Sequence, residues 1–145
     1  MHTKRLFFSI AAVVSVVCAA TLSGCASTAI ESAKPNEGVF FIDRADGATA
    51  TSPIKVKLGV PGKEVKPASD ATPNSGHHHL LVNLDAKPAG KAIPFDAMHI
   101  YYGKGQTEAE VKLPAGDYKL TMQFANLNHE SYGPAWAKTI RVMVK

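Results

Sequence analysis

The chain has 145 residues, 46% of them hydrophobic and 19% charged, with 16 Lys and Arg against 12 Asp and Glu and only two Cys. That length holds one small domain, and so ordinary a composition excludes a disordered tail, a collagen-like chain and a polytopic membrane protein. The surplus of positive charge has to be located along the chain before it carries meaning.

At the amino terminus Lys4 and Arg5 precede a nearly unbroken apolar run from Leu6 to Ala20, the layout of a signal-peptide n-region and h-region. The run is shorter than the roughly 20 residues that a spanning helix needs. Leu22-Ser23-Gly24-Cys25 resembles the lipobox of bacterial lipoproteins, which is Leu, a small residue, Gly or Ala, then Cys. The resemblance implies cleavage before Cys25 and acylation of that cysteine, palmitate included. Long acyl chains at about 0.8 kcal/mol per buried methylene make a near-permanent membrane anchor. Ala26 and Ser27 follow, with no Asp beside the cysteine. The sorting rule of such lipoproteins then implies the outer membrane, with the domain facing the periplasm.

This reading divides the chain into a signal peptide (1–24), an acylated cysteine with a tether (25–37) and a domain (38–145). Loss of residues 1–24 leaves 121 residues and removes two basic side chains but no acidic one, so the net charge falls from +4 to +2. No basic cluster interleaved with aromatics remains, which argues against a nucleic-acid partner. Cys18 leaves with the signal and Cys25 carries lipid, so no thiol is left for a disulfide, redox chemistry or a metal. Residues Ala26 to Glu37 are small and polar, a flexible tether with a reach of roughly 20 Å.

From Gly38 onwards the pattern has period two. Ile54, Val56, Leu58 and Val60 alternate with Lys55, Lys57 and Gly59, a half-buried strand with its lysines in water. The segment His77 to Leu84 is apolar enough on both faces to be a central strand. Thr107 to Leu113, Asp117 to Asn126 and Ala137 to Val144 alternate in the same way, and the short runs Val39 to Asp43 and Met98 to Tyr102 bring the count to about seven. No amphipathic helical stripe occurs. Seven short strands separated by Gly and Pro turns predict an all-β fold, an immunoglobulin-like antiparallel β-sandwich. Tyr118, just after Pro114-Ala115-Gly116, is placed either as a tyrosine corner bonded back to the turn or as a plain core residue.

If sequence neighbours run antiparallel, three connections emerge at one end of the sandwich. That end then collects Gly76-His77-His78-His79, Gly103-Lys104-Gly105-Gln106-Thr107 and Asn126-Leu127-Asn128-His129. The loop Pro61 to Gly76 is long for a compact domain, and such long loops are either functional or simply disordered.

The motifs Gly76-His77-His78-His79-Leu80-Leu81-Val82-Asn83, Ile93-Pro94, Gly103-Lys104-Gly105-Gln106-Thr107-Glu108 and Leu113-Pro114-Ala115-Gly116, with a His after the penultimate strand, resemble the bacterial domain-of-unknown-function 4399 family over about Val39 to Val144. The resemblance implies an exported domain and no particular reaction. The sequence departs from that pattern at Tyr101, where the family often carries His, and at Asn126, where it often carries Asp.

His77 and His79 are two apart on a strand and therefore share a face, as HxH pairs do in copper and zinc sites. His129 can approach them from the following loop, whereas His99 belongs nearer the far end. A set of imidazoles suits Cu(II) or Zn(II) better than Cu(I). His78 has the parity of Leu80 and Val82, so it packs in the core with backbone hydrogen bonds. A phosphate-loop reading of Gly103 to Thr107 fails, because Met98 and Gly105 stand where a Walker A motif needs Gly and Ser or Thr, and no helix follows. That segment reads as a glycine turn with Lys104 and Gln106 exposed, or as a ligand contact beside the histidines. Glu108 and Glu110 read as a solvated face. Ser75 lies near the histidines but in no nucleophile motif. Trp136 is either an aromatic contact for a partner or a core residue at the start of the last strand.

The sequence therefore predicts a non-enzymatic, lipid-anchored envelope protein that binds a protein or cell-wall partner through its His-rich end. The other reading is a periplasmic copper or zinc binder using His77, His79 and His129.

Overall fold

The computed structural model describes residues 38–41 and 44–145, so the expected signal peptide, Cys25 and the tether lie outside the described residues. Among the described residues nine strands follow in order: β1 (Phe40–Phe41), β2 (Ala48–Ala50), β3 (Ile54–Gly59), β4 (Glu64–Val65), β5 (Ser75–Val82), β6 (His99–Tyr102), β7 (Glu108–Val111), β8 (Gly116–Ala125) and β9 (Ala137–Val144). Among the described residues, the helical content is a single 3-10 turn at Pro134–Trp136.

The fold is all-β, in two sheets. One has the order β1-β3-β7; the other has β2-β9-β8-β5-β4, with β6 paired alongside β5. Ile54, Val56 and Leu58 of β3 turn inward, as do Leu80 and Val82 of β5, Leu120, Met122 and Phe124 of β8, and Ile140 and Val142 of β9, forming one buried core. Burial of each such side chain contributes about 1.5–3 kcal/mol, so the period-two pattern suffices to specify the sandwich interior. On the other face of β3, Lys55 and Lys57 lie opposite Glu110 and Glu108 of β7, at 3.7 and 3.3 Å. Both pairs are exposed, as expected of a solvated carboxylate face.

The strand set differs from the expectation in two places. β2 runs parallel to β9, and β4 runs parallel to the start of β5. These strands have three and two residues, too few for alternation to register, and the long backbone partner they border is what orders them.

β5 is buried along its whole length, for different reasons on its two faces. The inner face joins the core. The outer face lies under two chain segments, residues 85–96 and 126–136, which are laced together by Ile93 N–H to the His129 carbonyl (2.9 Å), Ser131 N–H to the Lys91 carbonyl (2.9 Å) and Gly90 N–H to the Ser131 carbonyl (2.8 Å). Gln123, fully buried on β8, pins both segments to the sheet. It accepts from Lys87 N–H at 3.0 Å and donates to the carbonyls of Gly133 and Trp136 at 3.0 and 3.2 Å. A polar side chain survives in this position because its hydrogen-bonding groups are paired.

Tyr118 packs against the core with its ring beside Gly116. The tyrosine that bonds back to a strand is Tyr132, whose hydroxyl donates to the Ser75 carbonyl at 2.8 Å.

Candidate metal centre

Alternation along β5 sends His77 and His79 to the covered outer face and His78 into the core. The register places His77 opposite Ala125 and His79 opposite both Gln123 and Tyr101. The third imidazole comes from the β8–β9 connection. There Asn126 shapes a tight turn: its Oδ1 accepts from the N–H groups of Asn128 (2.9 Å) and Glu130 (3.0 Å), and its own N–H donates to the Glu130 carbonyl (2.9 Å). His129 sits in that turn with φ of 59°, a left-handed conformation that Asn, Asp and His tolerate better than most residues. The turn aims its ring back at β5.

Three ring nitrogens converge. His77 Nε2 lies 2.9 Å from His79 Nε2 and 3.1 Å from His129 Nδ1. All three ligand atoms fall within 4.8 Å of one another. Two imidazole nitrogens held about 2.0–2.1 Å from a common ion are separated by roughly 2.8–3.4 Å for bond angles between square and tetrahedral. The two short distances fall in or near that interval.

The electrostatics favour lone pairs over protons. Burial holds the His77 pKa down to about 4, with the neighbouring His129 adding to the effect. His79 is pushed to about 3, first by burial and then by His77, His129, His99 and His78. Neutral imidazole is the form that binds metal. The Nδ1 atoms of His77 and His79 are buried without a hydrogen-bond partner, so the mutual contacts of the trio leave part of its bonding capacity unused.

The neighbouring candidates separate from this cluster. His99 pairs with Asp96 (Nδ1 to Oδ1, 2.8 Å), opposite Leu81, and does not join the trio. His78 is fully buried, edge-on to Phe124 with ring centroids 5.1 Å apart. Its place in the core is as expected, but the expected hydrogen bonds are not there: neither ring nitrogen has a partner, because its backbone neighbours are already used in the β5 ladders. The Gln106 side chain accepts from Lys104 N–H at 2.8 Å and so holds its own turn, while Lys104 pairs with Pro67. Trp136 is half-buried against the core and Tyr132, with the Lys63 ammonium over both rings at 4.4 and 4.0 Å.

Sequence reasoning did not place Tyr101 or Phe95 beside the trio. The Tyr101 ring lies 5.2, 5.4 and 5.0 Å from the rings of His77, His79 and His129, and Phe95 lies 4.8 Å from His129. In the sequence Tyr101 stands out only as a departure from the family pattern; its place opposite His79 requires the β5–β6 register.

A family model described as Domain of unknown function (DUF4399) matches residues 56–145. The chain belongs to that family. The match begins inside β3 and runs through β9, so all three imidazoles of this DUF4399 domain lie within it. Among curated proteins and solved structures, none matches the chain at a significant level.

Proposed function

We propose that this DUF4399 protein is a lipid-anchored envelope protein whose domain binds a divalent transition metal through His77, His79 and His129. The observation that carries the reading is the convergence of three ring nitrogens, at 2.9 and 3.1 Å, from two separate elements. An all-imidazole donor set suits Cu(II) and Zn(II), and copper ranks above zinc in affinity for such donors. Binding rather than catalysis fits the surroundings, since the Ser75 hydroxyl is committed to the Thr72 carbonyl at 2.6 Å. The anchor is Cys25, with the domain held in the periplasm at the outer membrane.

Calorimetry on the full-length chain, purified in detergent and stripped with chelator, tests the metal. Copper or zinc should bind with micromolar or tighter affinity, and the double variant His77→Gln/His79→Gln should show no heat. Absence of heat with the unaltered chain overturns the reading.

A second reading has its own observation. Phe95, Tyr101 and Leu127 are 65%, 39% and 41% exposed on the segments around the trio, and exposed aromatic side chains commonly anchor partners. A protein or cell-wall partner docked there would be retained in a pull-down irrespective of chelator, and the same double variant separates the two: loss of capture without any metal dependence favours the partner.

A further inference from the structure

Resting on the metal reading above, we propose that the ion keeps one coordination position for a small anionic ligand, hydroxide or a pseudohalide, beneath a roof formed by the Tyr101 ring. Among the described residues the trio is the complete set of clustered His, Cys and carboxylate donors. Zinc takes four ligands in tetrahedral sites and copper(II) takes four or more, so three nitrogens leave at least one place to be filled from outside the protein.

Charge decides what fills it. Three neutral imidazoles leave both positive charges of the ion uncompensated in a largely buried spot, which is costly unless an anion joins it. The carboxylates of the two covering segments are engaged elsewhere: Asp85 with Lys119 at 2.7 Å, Asp96 with His99 and Met98 N–H at 2.8 Å each, and Glu130 with the Asn126 side chain at 3.0 Å. An exogenous anion therefore supplies what the protein does not.

The roof is set by geometry. The three imidazole centroids are 4.9, 4.9 and 5.6 Å apart, and the Tyr101 centroid stands 5.0–5.4 Å from each. The four rings occupy the corners of a nearly regular tetrahedron, with Tyr101 capping the three imidazoles. Its oxygen is seated at Gly103. The hydroxyl and Cζ lie directly over the Cα of Gly103, where any Cβ would overlap them. Gly103 is thus a positioning residue: it makes the notch that seats the phenol. Phe95, 5.5 Å from Tyr101, extends the roof to solvent. Tyr101 is partly exposed, so a small ligand enters by displacing its ring.

Azide titration of the copper-loaded, full-length chain in detergent, followed by visible absorption and electron paramagnetic resonance, tests this. Azide should shift both spectra with one-to-one stoichiometry. Tyr101→Phe should keep copper and respond as the unaltered chain does, while Tyr101→Ala and Gly103→Ala should keep copper and take up azide several-fold faster. If copper binds but azide leaves the spectra unchanged, the coordination position is not open and the proposal fails. It also fails if a phenolate-to-copper charge-transfer band is present and disappears in Tyr101→Phe, since the tyrosine oxygen is then the fourth ligand. Failure of copper itself to bind overturns the metal reading first, and this proposal with it.

Discussion

His78 stands between two proposed ligands in the sequence and faces the opposite way. Its imidazole occupies core volume beside Phe124 with both nitrogens unpaired, and a buried polar group without a partner costs about 1–3 kcal/mol. Replacement His78→Leu, close in volume and apolar, should therefore stabilise the domain by about 1 kcal/mol or more in urea unfolding at pH 7. The same burial makes the residue sensitive to acid. Its pKa falls from 6.5 to about 4 on folding, so the unfolded chain takes up the proton first. The neutral form's advantage is complete above the unfolded pKa and is lost as pH falls from 6.5 towards 4, at roughly 1.4 kcal/mol per pH unit. His77 and His79 act in the same direction. The melting temperature should drop steeply between pH 7 and pH 5, and less steeply in His78→Leu.

Two local elements place the trio. The first is the Asn126 turn, which holds His129 in its left-handed conformation. Asn126→Ala should lower copper affinity by roughly tenfold without unfolding the domain, as loss of a supporting hydrogen-bond shell does. A competition titration reads this, with His129→Asn as the comparison that keeps the left-handed turn and removes the ligand. The second is the start of β5. Gly76 lies so close to β8 that a Cβ would run into the Ala125 carbonyl and stand 2.9 Å from the Phe124 ring. Gly76→Ala should cost about 2–4 kcal/mol in urea unfolding, because the clash falls on backbone that the adjacent ladder pairs hold in place.

For the whole molecule, the domain presents its three-histidine cluster on the outer face of one sheet, under two segments that stitch to each other before they meet solvent. The proposed lipid on Cys25 confines that domain to the membrane surface. Cys25→Ala should move the protein from the membrane fraction to the soluble periplasmic fraction, read by fractionation and immunoblot; continued membrane retention would count against the anchor.

Much of this was legible in one dimension. Side-chain parity is a property of the strand itself, so alternation alone put Ile54, Val56 and Leu58 inside, Lys55 and Lys57 outside, and His77 with His79 on one face and His78 on the other. Strand direction brought the β8–β9 connection to the start of β5 and with it His129. What required the folded chain were quantities that depend on two segments at once. The β5–β6 register set Tyr101 opposite His79. The lacing of residues 85–96 to residues 126–136 supplied the cover over the outer face of β5, which alternation does not identify. Close approach, not spacing, gave Gly76 and Gly103 their roles. The sequence by itself determined which side chains share a face, because that follows from local backbone geometry; only the tertiary structure decided which of them meet, because contact between distant segments is fixed by register and packing.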